Sequence, residues 1–91
     1  MQATMVMQLE AVPIVKASLA LKRKTLEFSL RQYQARLSAF EQQHQMTSEQ
    51  FARAFNAGEL GDNEAWFEWG FVLDAVKETQ RQLQLLESVT L

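Results

Sequence analysis

Apolar residues recur along this chain with two different periods. Over the first ten residues Ala3, Met5, Met7 and Leu9 alternate with Gln2, Thr4 and Gln8, with Val6 out of pattern. A period of two is the mark of a strand. A lone strand leaves its backbone groups unpaired. Residues 1–11 are therefore expected either as a short N-terminal β-strand that pairs with another chain or as a flexible arm.

After Pro13 the period changes. Proline suits a first helical turn, where its missing N–H costs nothing. Neither glycine nor a further proline occurs between Ile14 and Gln45. Val15, Leu19, Leu26, Leu30, Tyr33, Leu37, Phe40 and His44 recur at steps of three, four and seven, broken only where Lys22 falls. That is a heptad-like seam on a helix over residues 13–45, with a length of about 45 Å at 1.5 Å per residue. A second stripe lies on the opposite face. Leu21, Phe28 and Ala35 repeat every seven residues, with Ala39 beside them. A two-helix hairpin has no use for this stripe, so Leu21, Phe28, Ala35 and Ala39 are candidate contacts for a second chain. Scattered apolar residues are also common on ordinary surfaces.

Two shorter segments follow. Thr47 and Gln50 form a capping-box pair for a second helix over residues 48–57, with Met46 and Phe51 spaced for a hydrophobic staple. Phe51 and Phe55, four apart, supply its buried side, and Gly58 suits a left-handed stop. Gly61 permits another unusual turn, and Asp62 is positioned to cap a third helix over residues 63–87. On that helix Trp66, Trp69, Leu73, Val76 and Leu83 make the principal seam, interrupted by Gln80, while Phe67 and Phe71 add a second face. The first turns are apolar almost all round and must be covered from several sides. Trp66, Phe67 and Phe71 are candidate interface residues, because tryptophan and other aromatic side chains anchor interfaces as readily as cores.

The expected fold is all-α: a long helix, a short helix and a long helix returning antiparallel in a hairpin or bundle. Ninety-one residues make one small domain at most, and a chain of that size buries a modest fraction of its surface. A homodimer is a common remedy and is expected here. There is no cysteine, which excludes disulfides and thiolate metal sites and fits a cytoplasmic location. No long uncharged apolar run occurs, so no membrane span is expected, and the first nine residues lack the basic start of a signal peptide.

Charge is unevenly placed. Residues 1–40 carry six Lys/Arg and two acids, whereas residues 41–91 carry three and nine. The simpler account is a basic helix lying antiparallel to an acidic one. The other is nucleic-acid contact through Lys22, Arg23 and Lys24, with the N-terminal strand reading bases in the manner of a small dimeric transcriptional regulator. Against that stands the unbroken first helix, because a ribbon-helix-helix arrangement turns soon after its first helix.

Catalytic chemistry finds little to work with. His44 is the single histidine and has no carboxylate or cysteine at ligand spacing, so neither a metal nor a cofactor is expected. As a general base it would need a nucleophile or acid beside it. Glu64 and Glu68 are four apart, which helical spacing alone produces often. The glycines of Gly58-Glu59-Leu60-Gly61 match no phosphate-binding loop. The chain is not expected to be an enzyme.

The run from Phe40 to Trp69, F-E-Q-Q-H-Q-M-T-S-E-Q-F-A-R-A-F-N-A-G-E-L-G-D-N-E-A-W-F-E-W, resembles small helical proteins of cyanobacteria, other bacteria and archaea. Some of these look like the antitoxin half of toxin–antitoxin pairs. The resemblance covers about a third of the chain. It implies binding and neutralising a toxin-like protein partner, and it assigns no functional residues. The first strand and the basic segment lie outside it.

Overall fold

The computed structural model describes residues 2–91. Three helices follow one another, α1 (Val12–His44), α2 (Ser48–Asn56) and α3 (Glu64–Glu87), preceded by a 3-10 turn at Leu9–Ala11. The order is long, short, long, and the fold is all-helical among the described residues. α1 and α3 pack along each other, and α2 closes one end.

The expected N-terminal strand is not formed. Residues 2–8 are neither helix nor strand, and Met5, Val6 and Leu9 are exposed. The physical reason is the one that made the strand conditional: a single strand has no ladder to join. Its last residues instead wind into α1, with the Ala11 N–H donating to the Gln8 carbonyl at 2.9 Å. Pro13 sits in the first turn of α1, where its missing donor costs nothing.

α1 ends abruptly. Gln45 takes the left-handed conformation, with φ of 53°. Only residues 45–47 separate α1 from α2, so the chain must reverse in one step, and no glycine is present to do so. A non-glycine residue in this region costs about 1–2 kcal/mol. The start of α2 offsets it. Thr47 Oγ1 accepts from the Gln50 N–H at 3.0 Å, and Gln50 Oε1 accepts from the Thr47 N–H at 2.9 Å. Glu41, on α1, accepts from the Ser48 N–H at 2.8 Å and ties the two helices together. Three donors that a helix start leaves orphaned are thereby satisfied.

Gly58 and Gly61 both have positive φ, 73° and 74°, and turn the chain from α2 into α3. The cap of α3 is Asn63 rather than the expected Asp62. Asn63 Oδ1 accepts from the Ala65 N–H at 2.9 Å. Both residue types cap well, and the second glycine turn places the later one in the extended conformation a cap needs.

The seam of α1 falls where its period places it: Leu26 is buried, and Val15, Leu19, Leu30, Tyr33, Leu37, Phe40 and His44 are half-buried. The seam of α3 is rotated from the expected one. Its buried residues are Trp69, Val72, Val76 and Thr79, while Trp66, Leu73 and Leu83 are half-buried at its edge. Thr79 can lie inside because its hydroxyl donates to the Ala75 carbonyl at 2.7 Å within its own helix.

The molecule measures 55 × 26 × 17 Å with a radius of gyration of 18.1 Å. A compact domain of this length would have a radius near 12 Å, by the usual scaling of about 2.2·N^0.38. The elongated shape keeps the core thin. Among the described residues its buried apolar members are Leu26, Phe51, Trp69, Val72 and Val76, of which Phe51, Trp69 and Val72 are fully buried.

Candidate interaction surface

The closed end of the hairpin is built from rings. Trp69 is fully buried (0 % exposed) and lies parallel to Phe51 at 4.2 Å and to Phe40 at 5.6 Å. These three come from α3, α2 and α1, so one cluster joins all three helices. The indole Nε1 of Trp69 donates to Ser48 Oγ at 3.1 Å. Trp66 is half-buried; its ring tilts against His44 at 4.7 Å, and its Nε1 donates to the Leu60 carbonyl at 3.0 Å. Leu60, between the two glycine turns, thus fixes the loop onto α3. Buried indoles find partners of this kind because an unmet N–H is costly.

His44 belongs to the same cluster. It lies beside Phe40 and both tryptophans, and its Nε2 is buried with no hydrogen-bond partner among the described residues. No group of three or more histidine and acidic side chains is placed to hold a metal ion among the described residues.

The candidate interface residues separate into two groups. Trp66 is drawn into the aromatic cluster, whereas Leu21 (66 % exposed), Phe28 (57 %), Phe67 (57 %) and Phe71 (64 %) stand on the surface, and Ala35 and Ala39 are exposed alongside the α1 pair. Leu21, Phe28 and Ala35 fall at every second turn along one outward stripe on α1. Phe67 and Phe71 form an outward patch on α3, braced from the side by Phe55 of α2, whose ring meets Phe67 edge-on at 5.7 Å. The same face carries Leu85 near its far end. Ile14, one heptad before Leu21, is exposed as well and extends the α1 stripe; its seven-residue offset was the signal that could have found it.

Lys22, Arg23 and Lys24 are all exposed. Being consecutive on α1, they point about 100° apart and do not present a single face. Lys24 is the one beside Phe28, four residues before it. The N-terminal segment, whose polar positions Gln2, Thr4 and Gln8 a base-reading strand would use, has no strand structure.

Between Phe71 and Leu85 on the outward face of α3, Glu78 is paired. Its carboxylate accepts from Arg81 Nε at 2.9 Å and Nη2 at 2.7 Å, and from Gln82 at 3.1 Å. The hydrogen bonds from Arg81, then from Gln82, hold its pKa down at about 2, against an ordinary value of 4.5. The same partnership raises the Arg81 pKa.

No helix among the described residues is long and apolar enough to cross a membrane. No family model, curated protein or solved structure matches the chain.

Proposed function

We propose that this protein is a non-catalytic interaction module, antitoxin-like in its action, that binds and covers a partner protein with the outward apolar faces of its long helices. The observation that carries the reading is the contrast between core and surface. Two large aromatic residues on α3 and one on α1 are more than half exposed, on a domain whose buried apolar core, among the described residues, is five residues. Exposed aromatics in rows at helical spacing suit helix-in-groove binding, where anchors at i, i+3, i+4 and i+7 enter a partner's cleft. The resemblance of Phe40–Trp69 to antitoxin-like proteins supports a toxin-like partner.

The test is retrieval followed by a growth assay. The tagged chain is expected to bring down one small protein in stoichiometric amount from a lysate of its source. That protein should arrest growth when expressed alone and be tolerated when co-expressed with this chain. Phe28→Glu should lose both the capture and the protection. Recovery of the bait alone, or of a protein harmless by itself, would overturn the antitoxin reading.

A further inference from the structure

The outward faces of α1 and α3 carry opposite charge on the same spacing. On α1, Leu21, Lys24, Phe28 and Arg31 follow one another at steps of three, four and three residues and share one face. All four are exposed. The carboxylates of α1 lie elsewhere. Glu27, next to Phe28 in sequence, is turned about 100° from it, and Glu41 is engaged with the start of α2. On α3, Glu64, Phe67, Phe71 and Asp74 repeat the same three steps, and all four are exposed. The α1 face thus presents two cations around leucine and phenylalanine, and the α3 face presents two carboxylates around a phenylalanine pair, with Glu78 and Arg81 further along it paired with each other. None of the Lys24, Arg31, Glu64 and Asp74 side chains has a hydrogen bond or ion pair among the described residues.

Three self-contacts can be compared on chemistry. Pairing α1 with α1 of a second copy brings Lys24 and Arg31 against their own kind. Pairing α3 with α3 does the same to Glu64 and Asp74. Only α1 against α3 buries apolar side chains on both sides while meeting cation with carboxylate. We propose that the outward face of α1 docks on the outward face of α3 of a second copy. α1 and α3 pack on each other through their inner sides, so their outward faces point away from each other. A copy held through its α1 still offers its α3. The contact is therefore heterologous, and it propagates into a ring or an open chain instead of ending at a two-fold pair.

The inference uses the same faces as the interaction reading and is tested on the purified full chain alone. An absent cellular partner and an absent self-contact are then separate outcomes. Light scattering is measured against concentration for the unaltered protein, for a variant with K24E and R31E, for a variant with E64K and D74K, and for an equimolar mixture of the two variants. The unaltered protein should exceed its 10.5 kDa single-chain mass as concentration rises, and fall back toward it as salt is added. Each variant alone should associate roughly tenfold more weakly or less. The mixture should regain the large species, because either variant's altered face then meets its complement.

Circular dichroism checks that helicity is kept. Should a variant lose it, Phe28→Ser, a single change at an exposed position, carries the same expectation of weakened association. The proposal is overturned by an unaltered protein that stays at single-chain mass, by a variant that associates as strongly as the unaltered chain, or by a mixture that does not recover.

Discussion

The two ends of this hairpin are held in different ways. At the closed end, Trp69 and Phe51 are buried, three helices meet in one ring cluster, and both indoles have hydrogen-bond acceptors. At the open end, where Val12 to Arg23 of α1 lies, Val15 and Leu19 are only half-buried, as are Leu83 and Leu86 of α3. Among the described residues no ring closes that end, and α2 lies at the other. Stability of a thin domain is expected to concentrate where contacts come from several elements, and to fall off where two helices meet along a single line. The lesson is that α2, the shortest of the three α-helices, decides which end gains contacts from a third element.

The sharpest way to break the contrast is to remove a residue from each end. Trp69→Ala should cost about 3–5 kcal/mol, a large part of the 5–15 kcal/mol that typically holds a domain together. The variant should be largely unfolded by thermal or denaturant melting. Leu19→Ala, at the open end, should cost only about 1 kcal/mol, since a half-buried side chain forgoes roughly half of the usual burial term. Equal losses at the two sites would mean that the ends are equally held.

A gain is expected at His44. Its buried Nε2 lacks a partner among the described residues, and an unmet buried polar group costs about 1–3 kcal/mol. His44→Phe keeps a ring against Phe40 and the tryptophans without that cost. The melting temperature should rise by about 4–8 °C for each kcal/mol gained in a domain this small. A fall would show that the imidazole makes a contact worth more than its desolvation.

The smallest effect concerns Glu78, on the exposed side of α3. Its folded pKa, about 2, lies below the ordinary 4.5. The pair with Arg81 therefore contributes stability above the unfolded value and loses it as pH falls from there through about 2. The contribution is slight because both side chains are solvated. Nuclear magnetic resonance titration should place the carboxyl near the low value, and Arg81→Ala should return it toward 4.5. No shift in that variant would remove the Arg81 account.

The long-short-long helical order was legible because the apolar period is sustained and its interruptions are chemically marked. The Thr47–Gln50 box and the two left-handed glycines act through neighbours in sequence, so local spacing sufficed to find them. Several features were not legible. The reversal at Gln45 has no turn residue to announce it; the packing of α2 against the ring cluster holds it in place. Thr79 reads as polar, and its burial depends on a bond to its own backbone that a hydropathy pattern does not show. The N-terminal alternation read as a strand, yet without a neighbouring strand the segment has no ladder to complete. The exposed places of Leu21, Phe28, Phe67 and Phe71 follow from their offset from the main seams. Trp66 could not be assigned that way, because its position depends on where the Leu60 carbonyl comes to rest.

By itself the amino-acid sequence determined the features that act over one or two turns: where the long helix runs, where α2 is capped, which glycines bend the chain, and that α1 carries two apolar stripes. Tertiary structure alone decided which side of α3 turns inward, that Trp69 rather than Trp66 sits at the centre, and that the basic and acidic outward faces end on opposite sides of the hairpin. Helical period sets faces only to within a residue or two. The final rotation of each helix comes from packing rings of fixed size at one end, and that is a property of three segments together.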